Sequence, residues 1–287
     1  MTIIMTIPRQ SSADTGAEPE NATGSGSVSS EAKIVVKDLL HKFKTADEDV
    51  QATDRINLTI REGEVVTLVG PSGCGKTTLL KAIAGFIKPT EGAVYCNGQL
   101  VKSPGRERGV VFQELAILPW RTVRRNIGHG LEIAGVGKAE RDREVARMVE
   151  LMGLSGFEDR YPHELSGGMK QRVAVARTWA ADPEVILMDE PFAAVDAMTR
   201  LTLQEELGAL CKSSGKTVFF ITHSVDEAVF LGDRVLVMTR RPGRIKQELS
   251  IPRETSGGRD WESFKADADL NATVEETLRL VREERIG

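Results

Sequence analysis

The chain alternates between short, wholly apolar runs and longer stretches whose apolar positions recur at helical spacing. Lys33-Ile34-Val35-Val36 predicts a first strand, and further strands are expected at 56–60, 64–69, 93–96 and 109–113. At about 122–160 the pattern turns mostly helical, with Val145, Met148, Val149 and Met152 sharing one helix face. Strand patterns return at Val185-Ile186-Leu187-Met188, 217–222 and 234–238, with helical stretches between them. Fully apolar strands of this length suit a parallel sheet covered on both faces. Their alternation with helices predicts an α/β fold with right-handed crossovers. Near the end, Thr273 and Glu276 form a capping-box pattern, and Val274, Leu278 and Val281 make the stripe of one terminal helix.

Composition narrows the possibilities without choosing a function. Residues 1–31 read as a disordered leader, since 8–31 are rich in Ser, Gly, Ala, Glu and Thr, and Met5 is an alternative start to Met1. A net charge of −4 leaves no basic footprint for nucleic acid, so no nucleic-acid partner is expected. Cys74, Cys96 and Cys211 are too few and too scattered for a disulfide framework or a zinc site, which fits a reducing compartment. No apolar run approaches the roughly 18 residues of a membrane span, and the first residues lack a signal-peptide pattern. Any role at a membrane is therefore expected to be peripheral.

The strongest chemical signal is Gly70-Pro71-Ser72-Gly73-Cys74-Gly75-Lys76-Thr77. It follows an apolar strand and opens a helix that starts with Thr78, the context a phosphate-binding loop requires. Glycines let backbone N–H groups turn inward, and the helix start adds unpaired donors and its positive dipole end. Lys76 is placed to reach the β- and γ-phosphates of ATP, and the Thr77 hydroxyl to bind Mg²⁺. Cys74 has two readings: a thiolate favoured by Lys76 and the helix start, or a small buried residue.

Two further groups complete the pattern. Val185-Ile186-Leu187-Met188-Asp189-Glu190 is an apolar strand ending in two carboxylates, which need not share a job because successive residues leave a strand in different directions. Asp189 is expected in the magnesium shell and Glu190 beside the attacking water. Leu165-Ser166-Gly167-Gly168-Met169 opens another helix able to meet phosphate. Alone, such a turn reads as a plain helix cap. One nucleotide needs only one such cradle per subunit. A head-to-tail dimer is thus expected, with Ser166, Gly167 and Gly168 of each copy closing on ATP held by the other.

Over roughly residues 33–245 these motifs, in this order, resemble the ATP-binding subunits of ABC transporters. The resemblance implies a P-loop NTPase (RecA-like) core with an antiparallel β-subdomain and a helical subdomain at about 114–165. The cassette would span 32–245, followed by an extension at 246–287 with a terminal helix. It implies that Gln113 contacts magnesium and water and senses the membrane subunit, and that His223 contacts the γ-phosphate. Ala193-Ala194-Val195-Asp196 resembles the family's D-loop, which more often reads Ser-Ala-Leu-Asp, with Asp196 kept. Phe43 sits where the family stacks an aromatic on adenine, although one aromatic alone reads as core packing. His41, His129 and His163 are left as structural.

The runs from Pro104 to Gln113 and from Leu118 to Val123 are similar to the nitrate/sulfonate/taurine import group, as are Asp189-Glu190-Pro191-Phe192 and Arg241-Pro242-Gly243-Arg244-Ile245. The resemblance implies permease subunits, a second copy of the chain and, indirectly, a solute-binding protein as partners. It also implies a peripheral location on the cytoplasmic face of the plasma membrane. Ile117-Leu118-Pro119-Trp120 offers an apolar surface for a permease helix, or ordinary loop packing. Relatives acting on nucleic acid or the ribosome carry long coiled-coil insertions or two cassettes, and neither pattern is present here. Intact Lys76, Asp189, Glu190 and His223 argue against a degenerate regulatory cassette. The solute stays open among nitrate, taurine, other sulfonates, bicarbonate and nitrogen heterocycles.

Overall fold

A computed structural model describes residues 32–44, 48–193, 195–251 and 260–286. The expected leader and Ala194 lie outside the described residues. β1 (Ala32–Lys44), β2 (Asp49–Arg61), β4 (Glu91–Cys96) and β5 (Gln99–Leu100) form an antiparallel sheet in the order β2-β1-β4-β5. A second, six-stranded sheet holds β3 (Val65–Val69), β6 (Arg108–Val111), β7 (Val185–Asp189), β8 (Thr217–Ile221), β9 (Arg234–Met238) and β10 (Ile245–Ser250). Its order is β10-β9-β3-β8-β7-β6, parallel except for β10 at one edge.

Every residue of β3, β7 and β8 is buried, as strands covered on both faces must be. Alternate residues feed two cores. Leu68, Leu187, Phe219 and Leu236 face α1 (Lys76–Ala84) and the antiparallel sheet, where they join Leu79, Ile83, Ile34 and Ile56. Val69, Met188, Phe220 and Val237 face the remaining helices. The helix that follows the phosphate loop is thus held between two sheets. The parallel strands end together, so the loops after Val69, Val111, Asp189, Ile221 and Met238 share one edge, where α/β sheets bind ligands.

The helical stretch forms α2 (Val123–Ile127), α3 (His129–Ile133), α4 (Lys138–Leu151) and, after a 3-10 turn at Pro162–Glu164, α5 (Gly167–Ala180). Val145, Met148, Val149 and Met152 are buried as their spacing predicts. Asn126, fully buried, accepts from the Leu118 N–H and donates to the carbonyls of Leu118, Arg121 and Thr122. That one amide fixes the loop and leaves Trp120 70% exposed.

Several elements depart from the sequence reading, among them β2, which starts at Asp49 rather than at 56. β1 runs on to Lys44 rather than stopping at Val36, because a bulge with Asp38 at φ 45 interrupts the alternation that marks a strand. Residues 246–287 supply most of β10 and two helices, α8 (Trp261–Ala266) and α9 (Ala268–Ile286), instead of one terminal helix. Thr273 does not cap α9. It lies inside the helix with its hydroxyl donating to the Asp269 carbonyl, while Asp267 accepts from the N–H groups of Asp269 and Leu270.

α8 packs on α6 (Ala197–Ser214) and α7 (Val225–Leu231). Trp261 stacks on Phe230 at 4.2 Å and 7°, Phe264 meets Phe230 edge-on at 5.5 Å, and the Trp261 backbone N–H donates to Glu205. Trp261→Ala is expected to cost about 3–5 kcal/mol of stability, read as a lowered denaturation midpoint. A loss below about 1 kcal/mol would contradict this packing.

Candidate active site

The phosphate loop leaves β3 and enters α1 through Gly75, at φ 104 and ψ 10. A Cβ there would lie 2.7 Å from the Ala52 carbonyl of β2, so both conformation and space demand glycine. The Gly243 N–H donates to that same carbonyl, and Gly243 accepts from the Asp54 N–H. The Arg241-Pro242-Gly243 turn therefore ties the antiparallel sheet to the loop. Lys76 is 5% exposed and crosses the loop, its Nζ donating to the carbonyls of Gly70 and Pro71 at 3.0 Å each.

The two carboxylates of the β7 end diverge, as strand geometry requires. Asp189, the last residue of the strand, accepts from the Thr77 hydroxyl at 3.2 Å. Burial pushes its carboxyl up, opposed by the Thr77 hydrogen bond and by Lys81 and Lys76. Glu190 leaves the strand in the left-handed region, at φ 49, with its N–H donating to the Ile221 carbonyl. This uncommon backbone for a non-glycine residue aims its carboxylate away from Asp189. Its Oε1 lies 2.6 Å from His223 Nε2.

Gln113 is exposed just beyond β6, at the strand-end edge. Phe43 is not in the core. Its ring is 42% exposed, edge-on to His41 at 4.6 Å, on the strand pair that carries Ala52 and Thr53 beside Gly75. Thr77 and Asp189 offer hard oxygen donors, and magnesium takes one or two protein oxygens when substrate phosphates and water complete its shell. These residues fit such an ion.

Ser166 caps α5, its hydroxyl accepting from the Met169 N–H at 3.3 Å. A Cβ on Gly168 would come within 2.6 Å of Thr199 Cγ2, so α5 and α6 touch there. Asp196 caps α6 by accepting from the Thr199 N–H at 3.0 Å, which holds its carboxyl below the usual range. Among the described residues, no hydrogen bond or ion pair joins Ser166, Gly167 or Gly168 to Lys76, Asp189, Glu190 or His223.

Cys74 answers to the second of its readings. It is 1% exposed, and burial pushes its thiol up despite Lys76 nearby. Burial pushes the Cys211 thiol up to about 12. Native protein is expected to react slowly with thiol reagents at all three cysteines. Labelling of Cys74 at the rate of a free thiol would contradict this.

Sequence reasoning missed Thr222, Gln204 and Glu227, which form a buried network behind His223. The Glu227 carboxyl accepts from the Thr222 hydroxyl and from Gln204 Nε2. A signal was present: Ser224 and Glu227 stand at capping-box spacing, and Ser224 does cap α7.

A family model described as ABC transporter matches residues 53–193. An uncharacterised ABC transporter ATP-binding protein of Methanocaldococcus jannaschii is 55% identical over 222 residues, covering 77% of this chain and 83% of that protein. The chain belongs to the ABC transporter family. It is an ATP-binding, ATP-hydrolysing subunit of an ABC transporter. The taurine import ATP-binding proteins TauB of Roseobacter denitrificans and Ruegeria pomeroyi are similar to this cassette at 43% and 46% identity. They span 86% and 81% of this chain, and 93% and 87% of their own lengths. A dimeric ATP-binding cassette solved in a post-hydrolysis state with ADP and phosphate matches with TM-score 0.68 at 33% identity. That match covers 76% of this chain and 98% of the solved one. Among the described residues no helix is long and apolar enough to cross a membrane.

Proposed function

We propose that the cassette powers uptake of a small sulfonate-like or nitrate-like anion through a separate permease, from the cytoplasmic face of the membrane. The observation that carries this reading is its likeness to taurine import ATP-binding proteins over more than four-fifths of both chains. Two copies clasp two ATP, each nucleotide held by residues 70–78 of one copy and by Ser166, Gly167 and Gly168 of the other. The capped start of α5, unconnected to its own chain's phosphate loop, supports that division of labour. Met198, 78% exposed beside Asp196, supports a covered surface at the same end of α6.

Lys76 and the backbone donors of the loop stabilise charge on the transferring phosphoryl group, usually the larger share of catalysis in this chemistry. Glu190 accepts a proton from the attacking water, and His223, 2.6 Å away, orients that carboxylate and meets the γ-phosphate. Thr77, Asp189 and Gln113 would hold Mg²⁺, which when bound neutralises charge on the β- and γ-phosphate oxygens. Phe43 stacks on adenine, and its exposed ring favours this over core packing. Differential contacts in the ATP-bound dimer favour closure, and loss of the γ-phosphate reopens it.

The permease docks on the helical subdomain. A groove of about 1050 Å³, lined by residues that include Trp120, Arg121, Arg124, Val145 and Val149, presents an apolar floor and a charged rim. The solute-binding protein acts from the other side of the permease and touches the cassette only through it. The test is reconstitution with the permease and binding protein, followed by a solute screen for stimulated ATP hydrolysis. Taurine, another sulfonate or nitrate is expected to stimulate. Stimulation by nucleic acid or ribosomes, and by none of the solutes, would contradict the reading.

A further inference from the structure

Both neighbours of His223 are tied to one residue five positions from the start of the turn. Thr222 donates its hydroxyl to the Glu227 carboxyl and accepts, through the same oxygen, from the Ser224 N–H at 3.0 Å. Ser224 in turn accepts from the Glu227 N–H at 3.3 Å. His223 therefore stands at the tip of a closed turn whose foot is Glu227. The turn is anchored to the central sheet, since the Thr222 N–H donates to the Leu68 carbonyl of β3. α7 is anchored there too, through the Thr67 hydroxyl and the Ala228 carbonyl at 3.0 Å.

The second acceptor position of Glu227 faces another element. Gln204 Nε2, on α6, donates to it at 2.6 Å. α6 is the helix that Asp196 caps and whose Thr199 fills the space over Gly168. One turn before Gln204, Arg200 donates to the Val195 carbonyl at 2.6 Å. A cavity of about 260 Å³ in front of these groups is lined by Glu190, Arg200, Thr222, His223 and Glu227, among others. The carboxyl at the back of this cavity is 4% exposed, and burial pushes it up, with the Thr222 and Gln204 bonds opposing.

We propose that Glu227 is a positioning residue for ATP hydrolysis: its buried carboxyl fixes the His223 turn and couples that turn to α6. The inference rests on the assignment of His223 to the γ-phosphate. Glu227 is almost wholly buried and its two carboxyl oxygens are taken by Gln204 and Thr222, so its effect passes through His223 and should fall on kcat rather than on ATP affinity.

The test uses the full chain with ATP and Mg²⁺, comparing Glu227→Ala, Glu227→Gln, His223→Ala and the Glu227→Ala/His223→Ala pair. Glu227→Ala is expected to lower kcat about 10-fold to 100-fold, the effect of a catalytic group displaced by about an ångström. ATP affinity should stay within about twofold. Glu227→Gln should recover most of the rate. It keeps an acceptor for Thr222, and Gln204 can turn its Oε1, which has no hydrogen-bond partner among the described residues, toward the new amide. Adding Glu227→Ala to His223→Ala should cost little further rate, because both act on one group.

Full multiplication of the two losses would overturn the proposal, as would wild-type kcat in Glu227→Ala beside an inactive His223→Ala. Wild-type turnover in His223→Ala would instead remove the assignment of His223, and this proposal with it. If Glu227→Ala does not fold, Thr222→Val breaks the same link with a side chain of the same shape. Its expected loss is about 10-fold in kcat at unchanged affinity, and no loss would count against the proposal.

Discussion

Glu190→Gln is expected to cut ATP turnover by about 10² to 10⁴-fold while leaving ATP bound, the range a positioned general base contributes. The substitution keeps the shape of the side chain and an acceptor oxygen for His223, 2.6 Å away. It removes the negative charge and the basicity that draw a proton from water. The left-handed backbone at position 190, φ 49, is a property of the turn after β7 and tolerates glutamine as well as glutamate. In the proposed cycle loss of the γ-phosphate reopens the dimer, so the variant should accumulate as a closed, ATP-bound dimer. Single-turnover hydrolysis and a nucleotide-binding titration on the same protein separate the two effects. Wild-type turnover would remove Glu190 as the base.

Lys76→Ala should act on binding as well as on rate. The ammonium is almost wholly buried and hydrogen-bonds two carbonyls of its own loop at 3.0 Å, so it is placed before nucleotide arrives. A charge-assisted hydrogen bond is worth about 1.5–3 kcal/mol, so ATP affinity should fall about 10-fold to 100-fold. Turnover at saturating ATP should fall too, since the same charge stabilises the transferring phosphoryl group. The contrast between the variants is informative: one binds and does not turn over, the other binds poorly. Unchanged affinity in Lys76→Ala would mean that the backbone of residues 70–78 holds the phosphates alone.

How far the sequence revealed this arrangement depends on how local each piece of chemistry is. The phosphate loop and the Asp189-Glu190 pair were legible because strand, turn and helix follow one another within a few residues. The opposite aims of those two carboxylates followed from strand geometry, but the positive φ that turns Glu190 toward His223 did not. That turn is set by the β7–β8 pairing, which places the Ile221 carbonyl under the Glu190 N–H. β1 was read too short because a bulge breaks its alternation, and the exposure of Phe43 was hidden with it. Thr273 and Glu276 had the right spacing for a helix start, yet α9 begins earlier, where Asp267 supplies the cap. Gln204 and Glu227 could not be paired from sequence at all, since their contact is made by two helices packing across the sheet edge.

The central claim is that ATP is clasped between two copies, neither holding a complete site. Sedimentation of the Glu190→Gln protein with and without ATP and Mg²⁺ tests it most directly. The account predicts a monomer without nucleotide and a dimer with it. A monomer in both conditions, from a protein whose unaltered form hydrolyses ATP at a rate per subunit that does not fall on dilution, would contradict it.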